Sequence, residues 1–237
     1  MYFDNLYWLL IGAGLVLTIL PQLWVKGTYN KYKNILASSG LTGADIARKI
    51  LEMNNIFDVK VESTSGELSD NYDPRSKVVR LSQDIYNGRS ISAMAIAAHE
   101  VGHAIQDNKG YIPMKMRAGI FPVVMFGQML GPWLMIIGIM LRTGSGIGFG
   151  EQLAILGLAF YASVFLFQLV TLPVELNASH RALKSLEATG YLAPGLESRG
   201  GRQVLTAAAF TYIAAALYSL IELAYWAYRV FGNRNRN

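Results

Sequence analysis

The sequence predicts a mainly α-helical, multi-pass membrane protein with about four membrane helices and a cytoplasmic region that carries a small β-hairpin. Apolar residues make up 52% of the 237 residues and charged residues only 16%, which is typical of a membrane protein. The mean hydropathy of +0.29 agrees with this class. Four apolar stretches are long enough to cross a bilayer, and a long polar segment separates the first stretch from the second.

Residues 1–25 predict the first transmembrane helix. The run from residue 6 to residue 25 is apolar and carries no charge. At 1.5 Å per residue it spans about 30 Å, the thickness of the hydrocarbon core of a bilayer. Trp24 lies at its end, where aromatic side chains anchor helices at the membrane interface. Asp4 and the absence of Lys or Arg before the run favour a retained helix over a cleaved signal peptide.

Residues 26–117 form the polar region of the chain. Within it, Thr42 predicts the N-cap of a helix that runs to about Met53. Asp45 follows three residues later, so its carboxylate can complete a capping box with the hydroxyl and backbone of Thr42.

Two strands are predicted next, and they lead into a further helix. Residues 59–62 alternate as a strand does, and residues 77–81 suggest a second strand that pairs with the first. Ser90 or Ser92 then starts a helix that ends before Gly110. The strand that feeds this helix could offer an edge to which an extended peptide adds. A hairpin that only covers the apolar face of the helix explains the same pattern equally well.

This helix carries the pattern H-E-x-x-H at His99, Glu100 and His103. Because residues four apart lie one turn above each other on an α-helix, both imidazoles can aim at a single point, about 2.0–2.1 Å from each nitrogen for zinc. Glu100 is then placed as a general base, which is the zincin arrangement. Gly102 leaves room for another segment to approach. The alternative is a buried helix that holds two histidines by chance, but the chain contains only three histidines.

Residues 118–237 predict the second, third and fourth membrane helices. Their apolar stretches are residues 118–141, 152–174 and 204–231. With four spans, the polar segment 173–202 lies on the same side of the membrane as residues 26–117. These two segments hold 17 of the 21 basic residues, and the positive-inside rule therefore places them in the cytoplasm. The basic C-terminal tail argues weakly for the opposite orientation.

The predicted cofactor is one zinc ion, Zn²⁺. The chain has no cysteine, so histidine and carboxylate side chains must supply the ligands. A catalytic zinc usually has three protein ligands, and Glu175 and His180 in the segment 173–202 are the candidates for the third. Five residues apart on a helix, they point about 140° away from each other. Composition alone slightly favours His180, the remaining histidine.

Several short segments resemble a known family: Ser39-Gly40-Leu41-Thr42-Gly43 with Ala47-Arg48, Asn71-Tyr72-Asp73-Pro74-Arg75, Leu81-Ser82, His99-Glu100-Val101-Gly102-His103-Ala104 and Glu175-Leu176-Asn177-Ala178-Ser179. They are similar to the YugP-type membrane zinc metallopeptidases of bacteria, and the resemblance covers essentially the whole chain. This family is similar to the larger group of membrane gluzincins that includes the HtpX-like proteases.

The resemblance implies a third zinc ligand. In the membrane gluzincins, a Glu in an E-x-x-A pattern on a helix leaving the membrane completes the zinc site. The segment from Glu175 to Ala178 matches this pattern, so the resemblance implies that Glu175 binds the metal. Ser179 stands where those relatives commonly have an Asp that supports a zinc-bound histidine, and Ser is the weaker acceptor.

The predicted function is that of a membrane zinc metalloendopeptidase in the bacterial plasma membrane, with its site on the cytoplasmic side. Its expected partners are the lipid bilayer and a peptide or membrane-protein substrate. Nucleic acid is not expected, because no motif combines aromatic and basic residues, and no feature of the sequence indicates an oligomeric state. The alternative is a non-hydrolytic protein, either a zinc-stabilised membrane scaffold or a transporter-like bundle.

Four further residues are candidates for supporting roles. His180, Tyr72 or Arg181 could donate a hydrogen bond to the oxyanion of the tetrahedral intermediate. Glu222 is the only acid in the last apolar stretch, and an intramembrane acid is a functional candidate. A structural partner for Glu222, an Arg or a helix-facing hydroxyl, is the favoured interpretation.

Overall fold

The computed structural model describes residues 5–67, 69–141 and 148–232, and it confirms the mainly α-helical fold class. Residues 142–147, between the second and third apolar stretches, and residues 233–237 of the basic tail lie outside the described residues. The described helices are α1 (Asn5–Lys33), α2 (Gly43–Met53), α3 (Gln83–Tyr86), α4 (Ile91–Asn108), α5 (Ile112–Met140), α6 (Phe149–Ala188) and α7 (Leu196–Phe231). The described strands are β1 (Lys60–Thr64), β2 (Asn71–Asp73) and β3 (Val78–Ser82).

Within the described ranges, four helices are long and apolar enough to cross a membrane: α1, α5, α6 and α7. This confirms the predicted number of spans. Helix α6 has 40 residues and is therefore about 60 Å long, twice the thickness of a hydrocarbon core. It continues through Pro173, so the third apolar stretch and Glu175 belong to one helix.

The chain folds as two compact units. The first unit consists of Met1–Ile19, Met116–Leu172 and Tyr212–Asn237, and the second consists of Leu20–Lys115 and Pro173–Thr211. Helices α1, α5, α6 and α7 therefore contribute residues to both units.

In the first unit, helices α5 and α6 pack closely because glycines face each other. A Cβ atom on Gly157 would lie only 2.7 Å from the carbonyl oxygen of Gly131, and a Cβ on Gly131 would lie 3.1 Å from the carbonyl oxygen of Gly157. Small residues of this kind let membrane helices approach backbone to backbone. Glu222 on α7 accepts a hydrogen bond from the hydroxyl of Tyr161 on α6. The structural partner favoured for Glu222 is therefore a tyrosine hydroxyl.

In the second unit, the described strands form a sheet in the order β1-β3-β2. The two predicted strands do pair, but β1 and β3 run parallel, with Lys60 opposite Val78. The hairpin consists of β2 and β3, with Tyr72 opposite Val79, because residues 71–73 add a third, antiparallel strand. The strand that leads towards α4 is thus the central one, and the free edges of this sheet belong to β1 and β2.

Helix α4 lies at the centre of the second unit. Its N-cap is Ser90, whose hydroxyl accepts a hydrogen bond from the backbone N–H of Ala93 at 3.2 Å. Helix α2 has the predicted capping box between Thr42 and Asp45. The buried side chains of α2, α4 and the sheet form one hydrophobic core. The sheet therefore covers the apolar face of α4, and the addition of a peptide to one of its edges stays a prediction.

Candidate metal centre

Helix α4 holds His99 and His103 rigidly, one turn apart. Most of the helix is buried, and the residues around the two histidines are apolar, including Ala98 and Val101. The centroids of the two imidazole rings are 4.8 Å apart, and the ring planes are nearly perpendicular. Both side chains present their Nε2 atoms to the same carboxylate.

That carboxylate belongs to Glu175 on helix α6. Its Oε2 atom lies 3.3 Å from Nε2 of His99 and 3.4 Å from Nε2 of His103. The side chain of Glu175 is 2% exposed, so it enters the site from within the packed unit. Among the described residues, these three offer donor atoms that all lie within 4.8 Å of one another.

Gly102 allows α6 to come this close. A Cβ atom at Gly102 would lie 2.6 Å from the carbonyl oxygen of Ala178, which follows Glu175 by one helical turn. Any side chain at position 102 would therefore push α6 away from α4. The expectation that Gly102 leaves room for another segment is confirmed, and that segment is the one that carries Glu175.

These donor atoms fit a zinc ion. Two imidazoles and one carboxylate are the ligand set of one class of catalytic zinc sites. Around a tetrahedral ion with bonds of about 2.0–2.1 Å, neighbouring donor atoms are about 3.3 Å apart. The separations of 3.3 and 3.4 Å from Glu175 to the two histidines match this value. The described cluster offers three donor side chains, one fewer than a closed structural zinc site needs.

The electrostatics of the site also favour a cation. Burial by itself lowers the pKa of His103, but the carboxylates of Glu175 and Glu100 outweigh burial and raise this pKa above its usual value. A proton on the imidazole of His103 is one way to balance the negative charge of these two carboxylates. A divalent metal ion between the ligands balances it as well, and a metal-binding imidazole must be unprotonated at the donor nitrogen.

Glu100 lies next to His99 on α4 and is 9% exposed. Its carboxylate accepts no hydrogen bond from any other group in the described ranges. Its place beside His99 makes it the candidate general base.

The Nδ1 atoms of both histidines also have hydrogen-bond partners. Nδ1 of His99 lies 3.2 Å from the hydroxyl of Ser179, and Nδ1 of His103 lies 3.0 Å from Oε1 of Gln106. Ser179 thus contacts a candidate zinc-binding histidine, as the Asp of the relatives does, although Ser is the weaker acceptor. Gln106 was not predicted from the sequence. Its position three residues after His103, on the same face of the helix, is the signal that could have indicated it.

Comparison with known proteins decides the family. A family described as "Putative neutral zinc metallopeptidase" matches residues 7–230. The chain belongs to this family. It is also 46% identical over 225 residues to the "Putative membrane protease YugP" of Bacillus subtilis (strain 168), which covers 95% of this chain and 96% of that protein. No solved structure matches the chain significantly.

Membership in this zinc peptidase family agrees with the donor set of the site and implies zinc as its metal. It confirms the family resemblance inferred from the motifs. The similarity to a membrane protease agrees with the four apolar helices.

The three candidates for an oxyanion donor all lie in the second unit, and two of them donate to other groups. The hydroxyl of Tyr72 donates to the carboxylate of Asp107 at 2.8 Å, and burial, together with that carboxylate, raises the pKa of Tyr72. Nε of Arg181 donates to Oδ1 of Asn177 at 2.7 Å. His180 is exposed and lines a surface cavity of about 480 Å³ on α6 and α7. His180 is not a member of the described donor cluster.

Proposed function

We propose that this protein is a membrane zinc metalloendopeptidase in which His99, His103 and Glu175 hold one zinc ion and Glu100 is the general base. The observation that carries the proposal is the convergence of the three donor atoms at separations that suit a single ion. An exposed site with loosely arranged acids would not support it. Here Glu175 is buried and comes from a helix distant in sequence from His99 and His103.

The chain's own residues perform the proton transfers. Zinc, when bound, polarises the scissile carbonyl and lowers the pKa of water to about 7. Glu100 accepts a proton from the attacking water and later delivers it to the leaving amine. The imidazoles of His99 and His103 and the carboxylate of Glu175 hold the metal, and the packing of α4 against α6 fixes their geometry.

The substrate is proposed to be a peptide or a membrane protein. The printed name of the Bacillus subtilis relative describes a membrane protease, and the same helix α6 carries both an apolar stretch and Glu175. The three-ligand cluster favours catalysis over the zinc-stabilised scaffold, because a closed structural site needs four protein ligands.

The experiment that tests the proposal compares zinc content and peptide cleavage in the wild type and in Glu100→Gln. The amide keeps the size of the side chain but cannot accept a proton, so we expect full zinc occupancy and a rate of cleavage lower by about 10²–10⁴-fold. Glu52→Gln, at an exposed position of α2, is the matched control and should leave both values unchanged. Wild-type cleavage by Glu100→Gln would overturn the mechanism.

We also propose that the metal site faces the cytoplasm, because 17 of the 21 basic residues lie in residues 26–117 and 173–202. The chain contains no cysteine, so single cysteines can report topology without background. Lys60 is exposed on β1, and Gly148 is exposed just before α6. In intact bacterial cells, a membrane-impermeant maleimide should label Gly148→Cys, and it should label Lys60→Cys only after permeabilisation. The reverse pattern would contradict the orientation.

A further inference from the structure

The side chain of Gln106 connects the two helices of the metal site. It is fully buried on α4 and contacts Nδ1 of His103 through its Oε1 atom at 3.0 Å. Its Nε2 atom donates to the backbone carbonyl of Val174 at 2.7 Å and to Oδ1 of Asn177 at 3.1 Å. Both of these acceptors lie on α6, on either side of Glu175 in sequence.

The orientation of this amide is fixed by groups that have only one hydrogen-bonding role. A backbone carbonyl can only accept, so the NH₂ group of Gln106 must face Val174. A guanidinium can only donate, and Nε of Arg181 lies 2.7 Å from the side-chain oxygen of Asn177. That oxygen therefore faces both Arg181 and Gln106. The remaining end of the Gln106 amide, its oxygen, faces His103.

An amide oxygen only accepts, so Nδ1 of His103 must carry a proton. A neutral imidazole protonated at Nδ1 has its lone pair on Nε2, the atom that faces Glu175 at 3.4 Å. We propose that Gln106 is a positioning residue that holds His103 in the tautomer that binds metal, and that Asn177 and Arg181 hold Gln106. This inference rests on the metal site of the proposed function.

His99 has a different kind of partner. The hydroxyl of Ser179 lies 3.2 Å from its Nδ1 atom, and a hydroxyl can either donate or accept. Ser179 therefore orients the ring of His99 without selecting a tautomer. Removal of the Ser179 hydroxyl should cost less zinc affinity than removal of the Gln106 amide.

The test measures the zinc affinity of the full-length protein in detergent micelles, by competition with a chromophoric chelator. Gln106→Met removes both hydrogen-bonding functions and should weaken zinc binding by about 10- to 100-fold, the usual effect of losing a partner of a metal-bound histidine. Gln106→Glu loses both donors to α6 but keeps an acceptor for Nδ1–H of His103. Because the proposal depends on this acceptor, Gln106→Glu should recover most of the zinc affinity. Ser179→Ala should give a smaller loss than Gln106→Met.

A merely structural role of Gln106 predicts a different result for the zinc affinities of these two variants. If Gln106 only ties α4 to α6, Gln106→Glu will bind zinc no better than Gln106→Met, and this result would overturn the proposal. Unchanged affinity in Gln106→Met would also overturn it. The absorption spectrum of the Co²⁺-substituted protein adds a second readout: its intensity and band positions should change in Gln106→Met and be restored in Gln106→Glu.

Arg181 provides a second test. Unlike Gln106, Arg181 is only partly buried, so its substitution disturbs the packing less. Arg181→Met should weaken zinc binding, while Arg181→Lys, which keeps a donor, should preserve more of the affinity. Equal affinities of Arg181→Met and the wild type would count against the chain of contacts. Zinc affinity is independent of peptide cleavage, so a wild type that binds zinc but cleaves no peptide would refute the proposed function and leave this inference standing.

Discussion

Gly102→Ala is expected to weaken zinc binding without touching a ligand. The added Cβ would lie 2.6 Å from the carbonyl oxygen of Ala178 and 3.1 Å from its Cα atom. Ordinary contacts of this kind begin at 3.4 Å. The two backbones must therefore separate by about 0.8 Å to relieve the overlap.

This separation also moves Glu175, which precedes Ala178 by three residues on α6. Metal–ligand distances tolerate deviations of only about 0.2 Å, so a shift of α6 impairs the coordination. Overpacking of this kind costs about 1–3 kcal/mol. If the zinc-bound state bears this cost, zinc binding weakens by about 5- to 150-fold.

The assay is chelator competition on purified protein, and Gly27→Ala is the matched control. Gly27 also lies on a helix in the second unit, but no atom outside its immediate neighbours lies within 4 Å of the Cβ position. Alanine is favoured over glycine inside a helix, so this control should keep its zinc affinity and lose no stability. Wild-type zinc affinity in Gly102→Ala would refute the claim that close approach of the backbones sets the site.

Two further predictions concern the third ligand and a buried acid. Glu175→Ala should lower zinc affinity markedly and His180→Ala should not, as chelator competition can show; the opposite result would mean that His180 is the ligand. Burial, with a smaller effect from the charge of Glu100, raises the pKa of Asp70 although Ser82 donates to it. Above this raised pKa, the ionised carboxylate of Asp70 therefore lowers the free energy of unfolding. This loss disappears as the pH falls to the ordinary pKa of an aspartate. Asp70→Asn should have a higher thermal unfolding midpoint than the wild type near neutral pH, and the difference should vanish by about pH 4; a difference that does not change with pH would contradict this.

The helices and the histidine pair could be predicted because both are local properties of the sequence. The length and apolarity of each stretch determine whether it can span a bilayer, and the spacing of His99 and His103 is fixed by the helical turn. The capping box of Thr42 and Asp45 is equally local. These features need no knowledge of which segments meet in space.

The strand pairing and the completion of the site could not be predicted in this way. The same residues can form parallel or antiparallel pairs, and the direction of β1 against β3 depends on β2, which lies between them in sequence. Composition slightly favoured His180, whereas the structure brings Glu175 to the histidines. That choice needed the family resemblance.

The contacts of Gln106 show the same limit of local patterns. Its partners Val174 and Asn177 lie 68 and 71 residues away in sequence. No periodicity connects such distant positions. They meet where α6 packs against α4, at the close approach that Gly102 allows.

The most direct test of the central claim is a structure of the protein with zinc bound, determined at a resolution that shows the ligands. We expect one ion bound by Nε2 of His99, Nε2 of His103 and a carboxylate oxygen of Glu175, with one position left for water. A fourth protein ligand, or an ion bound without Glu175, would show that the proposed zinc site is wrong.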